Sequence, residues 1–397
     1  MEAYIVEWLS LLVRWLHLIA GIAWIGASFY FIMLDNSFST PAKAEDALRG
    51  VSGELWAVHG GGLYQSQKFL AGPRGEALSN NLHWSKYEAY TTWLSGMGLL
   101  AIIYWFGAST YLIDKSVMAL TPVQAIGISV VSIVGGWVVY HALCKFFGKN
   151  EKVLLALLFT LVIALDWALF QVFSARAAFL HVGAVLGTIM AANVFFAIIP
   201  GQKKMVAQIR AGVVPDSEPG RIGKQRSVHN TYFTLPVLFI MISNHYPMTY
   251  SHPYGWLILA AIMAAGALIR QFFVLRHRGQ TRWLFVVVAV LLLLSVFVAL
   301  APKPPSTGIG KTASFAEVKT IIAVRCAGCH AAQPTTAGFA QPPKGVVLES
   351  TEQIIAQTQK INETVASRYM PIGNLTQMTD DERESIAVWL RDGAKLR

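Results

Sequence analysis

Eight stretches of this chain are apolar for long enough to cross a lipid bilayer, and that rules out an ordinary soluble fold. They run over about 5–33, 87–106, 123–144, 153–173, 177–200, 230–247, 254–275 and 282–300. A spanning helix needs ~20 mostly apolar residues. Only 14% of the 397 residues are charged while 54% are hydrophobic, against ~25% charged in soluble domains. Residues 1–300 are therefore expected to form an integral membrane domain, an all-α polytopic helix bundle of about eight spans. An acid, Glu2, and no Lys or Arg precede Arg14. That is not the basic start of a cleaved signal peptide, so the first stretch should remain as a helix.

The net charge of +10 could suggest nucleic acid, but the basic residues form no single patch. They collect in alternate loops, which is the pattern of membrane orientation. Lys145, Lys149 and Lys152 precede the fourth stretch. Lys203, Lys204, Arg210, Arg221, Lys224 and Arg226 precede the sixth, and Arg276, Arg278 and Arg282 the eighth. The intervening loops are nearly bare. Those basic loops are expected in the cytoplasm, together with the long loop 35–86. Both termini then face outward, into the periplasm if the membrane is a bacterial inner membrane. No nucleic-acid partner is expected; the lipid bilayer is.

Behind the last apolar stretch, Ala301-Pro302-Lys303-Pro304-Pro305 opens a proline-rich linker over 301–313. Residues 314–397 are polar and helical in pattern. Within them stands Cys326-Ala327-Gly328-Cys329-His330. Two thiols on one turn can add to the vinyl groups of a heme, and the adjacent His330 then faces the iron. A zinc site would need a second ligand pair, which is missing downstream. The segment 314–397 thus reads as a small class I cytochrome c domain with covalent heme c, with Ser314–Arg325 and Asp380–Arg391 as its terminal helices. Covalent heme is attached on the outer side of a bacterial membrane, which agrees with the topology from the loops. The sixth ligand is Met370, in Tyr369-Met370-Pro371, with Met378 as the competitor. The third cysteine, Cys144, reads as a buried inert thiol.

Ionisable residues within apolar stretches are costly and mark function or structural pairing. Asp166 lies deep in the fourth stretch, Glu88 opens the second, and Arg270 near the end of the seventh could snorkel. Five histidines lie in or at the ends of the stretches. His141 and His229 fall near the cytoplasmic side, His181 and His245 near the outer side, and His17 near the middle. The outer three are candidate ligands of a second heme, a heme b, with His17–His181 and His181–His245 both open as pairs. Each can equally be a hydrogen-bonded packing residue. In the loop 35–86, Val58-His59-Gly60-Gly61-Gly62 lacks the Gly-Lys-Ser/Thr of a phosphate loop. Two readings stand: a cradle for a small planar polar substrate, or an amphipathic surface loop. With no dinucleotide fingerprint, the residues by themselves point to a membrane oxidoreductase that delivers electrons to heme c. A quinol:cytochrome c oxidoreductase and a heme-bearing transport or sensor module remain as alternatives.

Several of these stretches also resemble one family. Arg14-Trp15-Leu16-His17 with Gly21 to Phe31, the Val58–Gly62 run, Glu88 to Gly96, Ser243-Asn244-His245-Tyr246-Pro247, and Met370-Pro371 with Gly373-Asn374 are similar to the membrane-bound, cytochrome c-linked urate oxidases of bacteria. The resemblance implies oxidation of urate to 5-hydroxyisourate, with electrons leaving through heme c to the respiratory chain, by way of a cytochrome c or terminal oxidase, without peroxide release. On that reading His59, Glu88, His141 and His229 are the polar groups available to urate on the cytoplasmic side.

Overall fold

The computed structural model describes residues 2–301, 312–336, 339 and 341–396. The linker 301–313 lies almost wholly outside them. The chain is mostly helical. In order come α1 (Glu2–Ser37), α2 (Ala44–Leu48), strands β1 (Val51–His59) and β2 (Gly62–Phe69), α3 (Tyr87–Leu100), α4 (Pro122–Phe147), α5 (Glu151–Phe170) and α6 (Ala175–Ala192). Then follow α7 (Ile199–Arg210), α8 (Ser217–Ser243), α9 (Pro247–Tyr250), α10 (Gly255–His277) and α11 (Leu284–Ala299). The C-terminal unit holds α12 (Phe315–Arg325), α13 (Ala327–His330), α14 (Thr351–Ala356), α15 (Thr358–Ala366) and α16 (Asp380–Arg391).

Helix starts are written in local chemistry. Thr121 accepts from the backbone N–H of Gln124, whose side chain accepts in return from the Thr121 N–H, with Pro122 at the first helical position of α4. Asn150, Ser174 and Asp216 cap α5, α6 and α8 in the same way. These caps occupy N–H groups that the helix itself leaves unpaired.

Five helical segments are long and apolar enough to cross a membrane by length and composition: Tyr4–Ser37, Pro122–Phe147, Glu151–Phe170, Ala175–Arg210 and Gly255–His277. The other three expected spans are helical too, but each departs from that standard for a reason. The second breaks into π turns at Ala101–Trp105 and Ala108–Leu112. In α8 the first ten residues carry one large apolar side chain, Ile222, among four charged ones. The last, α11, is apolar but short. The basic stretch before the sixth span is also not a loop. Lys203, Lys204 and Arg210 continue the fifth helix as α7, and Arg221, Lys224 and Arg226 sit on α8.

The bundle is organised around α6, most of whose side chains are buried. Its neighbours come close because glycine allows it. A Cβ on Gly183 would lie 2.6 Å from Cγ2 of Ile240 on α8, and one on Gly136 of α4 would lie 2.5 Å from Cγ1 of Val185. The outer faces stay apolar: Trp8, Leu12, Trp15 and Ile19 on α1, and Leu284, Leu291 and Phe297 on α11, are exposed. Hydrocarbon rather than water is the solvent that suits such a surface.

An all-α chain was expected, and loop 35–86 corrects it. Strands β1 and β2 pair antiparallel, with Val58 opposite Leu63 and His59 opposite Gly62. Gly60 and Gly61 form the turn at φ +57 and +81. A two-residue hairpin turn with positive φ at both positions matches the strand twist, and glycine adopts it without strain. The Gly-Gly-Gly run is therefore a turn. Glu54 is buried beneath it and accepts from Gln65 Nε2 at 3.0 Å and the Ala42 N–H at 2.9 Å. Lys68 pairs with Asp35 at the end of α1, which holds the hairpin to the bundle.

In the C-terminal unit α12 and α16 cross, with Phe315 and Trp389 rings 5.5 Å apart. Val318, Ile322, Leu348, Ile354 and Ile386 complete the core. Arg325 at the end of α12 bonds Glu382 at the start of α16 through its Nε at 2.9 Å.

Candidate functional site

A buried polar cluster lies where α4, α6 and α8 meet, next to the basic end of the bundle. The continuous helix α6–α7 is interrupted there by a π segment, Asn193–Ile198. Such segments arise from one extra residue in the turn and are frequent at functional sites. Asn193, its first residue, is 1% exposed. Its Nδ2 donates to the Tyr140 hydroxyl and to Asn230 Oδ1, both at 2.9 Å. Asn230 Nδ2 in turn donates to the Met190 carbonyl at 3.0 Å. The Tyr140 hydroxyl also lies 2.8 Å from Nδ1 of His229, leaving Nε2 as the imidazole's free nitrogen. Cys144 Sγ is 3.9 Å from the same Nδ1.

Arg226 completes the cluster. It is 3% exposed, its Cζ lies 4.9 Å from the centre of the Tyr140 ring, and Nη1 reaches Asn193 Oδ1 at 3.4 Å. Its Nε has no hydrogen-bond partner, and among the described residues no carboxylate pairs with it. A buried guanidinium without a counter-charge is expensive. An anion bound beside it would supply both the missing charge and the missing acceptor.

Of the four residues expected around the substrate, His229 alone is in this cluster. His141 follows Tyr140 on α4 but turns to another face and lies against Trp137, ring centres 5.4 Å apart. Glu88 stands half-buried in the first turn of α3, and His59 is exposed at the hairpin tip. Neither bonds to the cluster. The sequence reading missed Tyr140, Asn193, Arg226 and Asn230. Arg226, His229 and Asn230 share one face by their i, i+3, i+4 spacing, and that signal was available. The inward turn of Asn193 was not.

The three outer histidines have separate partners. His17 Nδ1 lies 3.0 Å from both Ser95 Oγ and the Thr92 carbonyl. His181 is fully buried, with Nε2 2.7 Å from Ser129 Oγ, Nδ1 2.7 Å from the Ala177 carbonyl, and its ring against Phe173. His245 is exposed beyond the end of α8. Both nitrogens of His181 are engaged in these bonds. Among the described residues no group of three or more His, Cys, Asp or Glu could hold a metal ion. Two other ionisable residues also differ from their simplest readings. Arg270 does not snorkel: it is buried, with Cζ 4.1 Å from the Phe29 ring centre. Asp166 is fully buried and its carboxyl has no hydrogen-bond partner.

In the C-terminal unit Cys326 closes α12, and Cys329 and His330 lie on the next turn, α13. Both thiols are free and partly buried. Burial, and then the neighbouring Cys329, push the Cys326 thiol up to about 12. Redox-active Cys-x-x-Cys pairs run the other way, with a depressed thiol. His330 Nδ1 lies 2.9 Å from the Val346 carbonyl, leaving Nε2 free. A backbone carbonyl on one imidazole nitrogen is the usual way to orient the other towards a metal. Met370 is held at both ends of its peptide: its N–H donates to the Thr364 carbonyl at 3.0 Å, and its C=O accepts from Arg383 Nη1 at 2.8 Å. Met378 is packed into the unit's hydrophobic core. The residues present thus fit a covalent heme with His330 and Met370 as axial candidates.

Comparison with known proteins bears on the bundle. The urate oxidase N-terminal family matches residues 3–301. No curated protein and no solved structure matches the chain. The matched segment takes in every helix from α1 to α11, including those that build the Arg226 cluster. The chain belongs to the urate oxidase N-terminal family.

Proposed function

We propose that this protein oxidises urate to 5-hydroxyisourate in the buried cluster of Tyr140, Asn193, Arg226, His229 and Asn230, and that the electrons leave through its C-terminal unit. The observation that carries the reading is the buried Arg226 guanidinium, without a counter-charge, in a chain of a urate oxidase family. Urate is a planar monoanion at neutral pH. Arg226 would take its charge, and Asn193 and Asn230, bonded to each other and to Tyr140 and Arg226, would hold the cluster in place around it. Urate and water give 5-hydroxyisourate, two protons and two electrons. With its Nδ1–H donating to the Tyr140 hydroxyl, His229 would take a proton on Nε2. The basic residues Lys145, Lys149 and Lys152 stand at the same end of the bundle and would raise the local concentration of an anion.

Cys326 and Cys329 would hold heme c, with His330 and Met370 on the iron. When bound, that group accepts single electrons and passes them to a cytochrome c or terminal oxidase, so that no peroxide is released. In this reading all eight apolar helical segments span a bacterial inner membrane. The basic end lies in the cytoplasm and the C-terminal unit in the periplasm.

Urate added anaerobically to purified protein in quinone-free detergent should reduce the covalent heme. No reduction by urate, with prompt reduction by a quinol, would replace this reading with quinol oxidation. Transport of urate without any heme reduction would replace it with a transport module.

A further inference from the structure

The opposite end of the bundle carries a half-buried cation that this reaction leaves unused. Arg176 opens α6, and its Nε donates to Asn244 Oδ1 at 2.9 Å. Its Cζ lies 6.0 Å from the ring centre of Tyr104 and 5.7 Å from that of Tyr111. Tyr250 and Tyr369 complete its electrostatic surroundings. Among the described residues no carboxylate pairs with it. Tyr104 and Tyr250 are buried, and their hydroxyls have no hydrogen-bond partner among the described residues.

This box lies at the junction with the C-terminal unit. Tyr369, next to Met370, packs against the core of the bundle. A Cβ on Gly373 would come within 2.8 Å of the Thr110 carbonyl, so the turn after Met370 presses directly on the π segment Ala108–Leu112. A half-buried guanidinium and two buried hydroxyls lacking acceptors form a site that an anion would complete. The anionic groups of a heme c are its two propionate carboxylates.

We infer that Arg176, Tyr104 and Tyr250 form the receptor for the carboxylates of the heme carried by the C-terminal unit, so that docking of the unit on the bundle also sets the heme potential. The inference rests on the heme c reading of Cys326, Cys329 and His330. A cation beside the carboxylates favours the reduced heme, which carries one more electron, and its loss favours the oxidised form.

The test is spectroelectrochemistry on the full-length protein in detergent, with heme staining after denaturing electrophoresis on the same samples. Arg176→Gln should lower the reduced-to-oxidised ratio at fixed ambient potential about tenfold, which is 59 mV for one electron. Arg176→Lys should recover part of that change. The double variant Tyr104→Phe/Tyr250→Phe keeps the volume and removes only the hydroxyls. It should lower the ratio by a smaller factor, and it carries the test if Arg176→Gln does not fold. Absence of stainable heme in the wild type would remove the heme c reading itself. Stainable heme with an unchanged potential in these variants would overturn the receptor while leaving that reading intact. A wild-type potential that moves on adding acetate or inorganic phosphate would also overturn it, because the box would then hold a free anion.

Discussion

Arg226 and Arg176 pose the same problem at the residue scale. Each is a guanidinium with no carboxylate partner among the described residues, Arg226 buried and Arg176 half-buried, and each lies near a tyrosine ring that offers only part of the lost solvation. For Arg226 the remainder is expected from substrate. Arg226→Gln keeps a donor and much of the volume but removes the charge. It should raise KM for urate by about 10- to 100-fold, the equivalent of one charged hydrogen bond at ~1.5–3 kcal/mol. Steady-state kinetics with an artificial electron acceptor would show it. An unchanged KM would mean that urate binds elsewhere, with His141 and Trp137 the next place to look. Half of this cluster was legible in the sequence. The Arg226, His229 and Asn230 spacing marks a polar helix face in an apolar chain. Tyr140 and Asn193 were not legible, because a Tyr or Asn in an apolar stretch has no pattern until a partner from another helix reaches it.

At the scale of elements, helix contacts here depend on the absence of side chains. Gly183 of α6 meets Ile240 of α8, while Gly187, one turn further on the same helix, has nothing within 4 Å of its would-be Cβ. The two glycines therefore make a controlled pair. Gly183→Ala should destabilise the bundle by about 1–3 kcal/mol through overpacking. Gly187→Ala should leave it unchanged or slightly firmer, since alanine is the better helix former. Thermal unfolding followed by circular dichroism in detergent would compare them, and equal midpoints would show that the α6–α8 contact is not tight. The hairpin teaches a related lesson about legibility. Gly60-Gly61-Gly62 between Val58 and Leu63 is a turn signal, yet in a chain dominated by spanning helices it was weighed as a substrate cradle or a surface loop. Pairing of residues on both sides of the glycines, visible only in three dimensions, makes it a turn.

For the whole molecule, the arrangement has two poles. The Arg226 cluster lies at the basic end of the bundle, and the Arg176 box at the end that contacts the C-terminal unit. Between them lies the packed interior around α6, with Val185, Leu186 and Ile189 buried along it. If the basic end faces the cytoplasm, urate should reach the site from that side. In sealed vesicles of known orientation, urate should reduce the heme only when supplied to the face bearing Lys145 and Lys149. Equal reduction from the other face would move the entrance to the neighbourhood of Asn244–Tyr254.

The sequence by itself determined the class of molecule and the location of its helices. Twenty apolar residues in a row leave the backbone one economical way to satisfy its hydrogen bonds, so all eight apolar stretches are helical. It also determined the heme-attachment candidates, because Cys326, Cys329 and His330 are neighbours in the chain and their geometry is local. Tertiary structure decided what is non-local. It gave His17 and His181, which depth along the helices had left as an open pair, partners on different helices, Ser95 on α3 and Ser129 on α4. It removed His59 and Glu88 from the company of His229. It also brought Asn193, displaced by a π turn, into contact with Tyr140 and Asn230. Depth in a membrane orders residues along one axis only. Which side of each helix faces which neighbour is set by packing, and at the two poles of this molecule packing decided which polar groups meet.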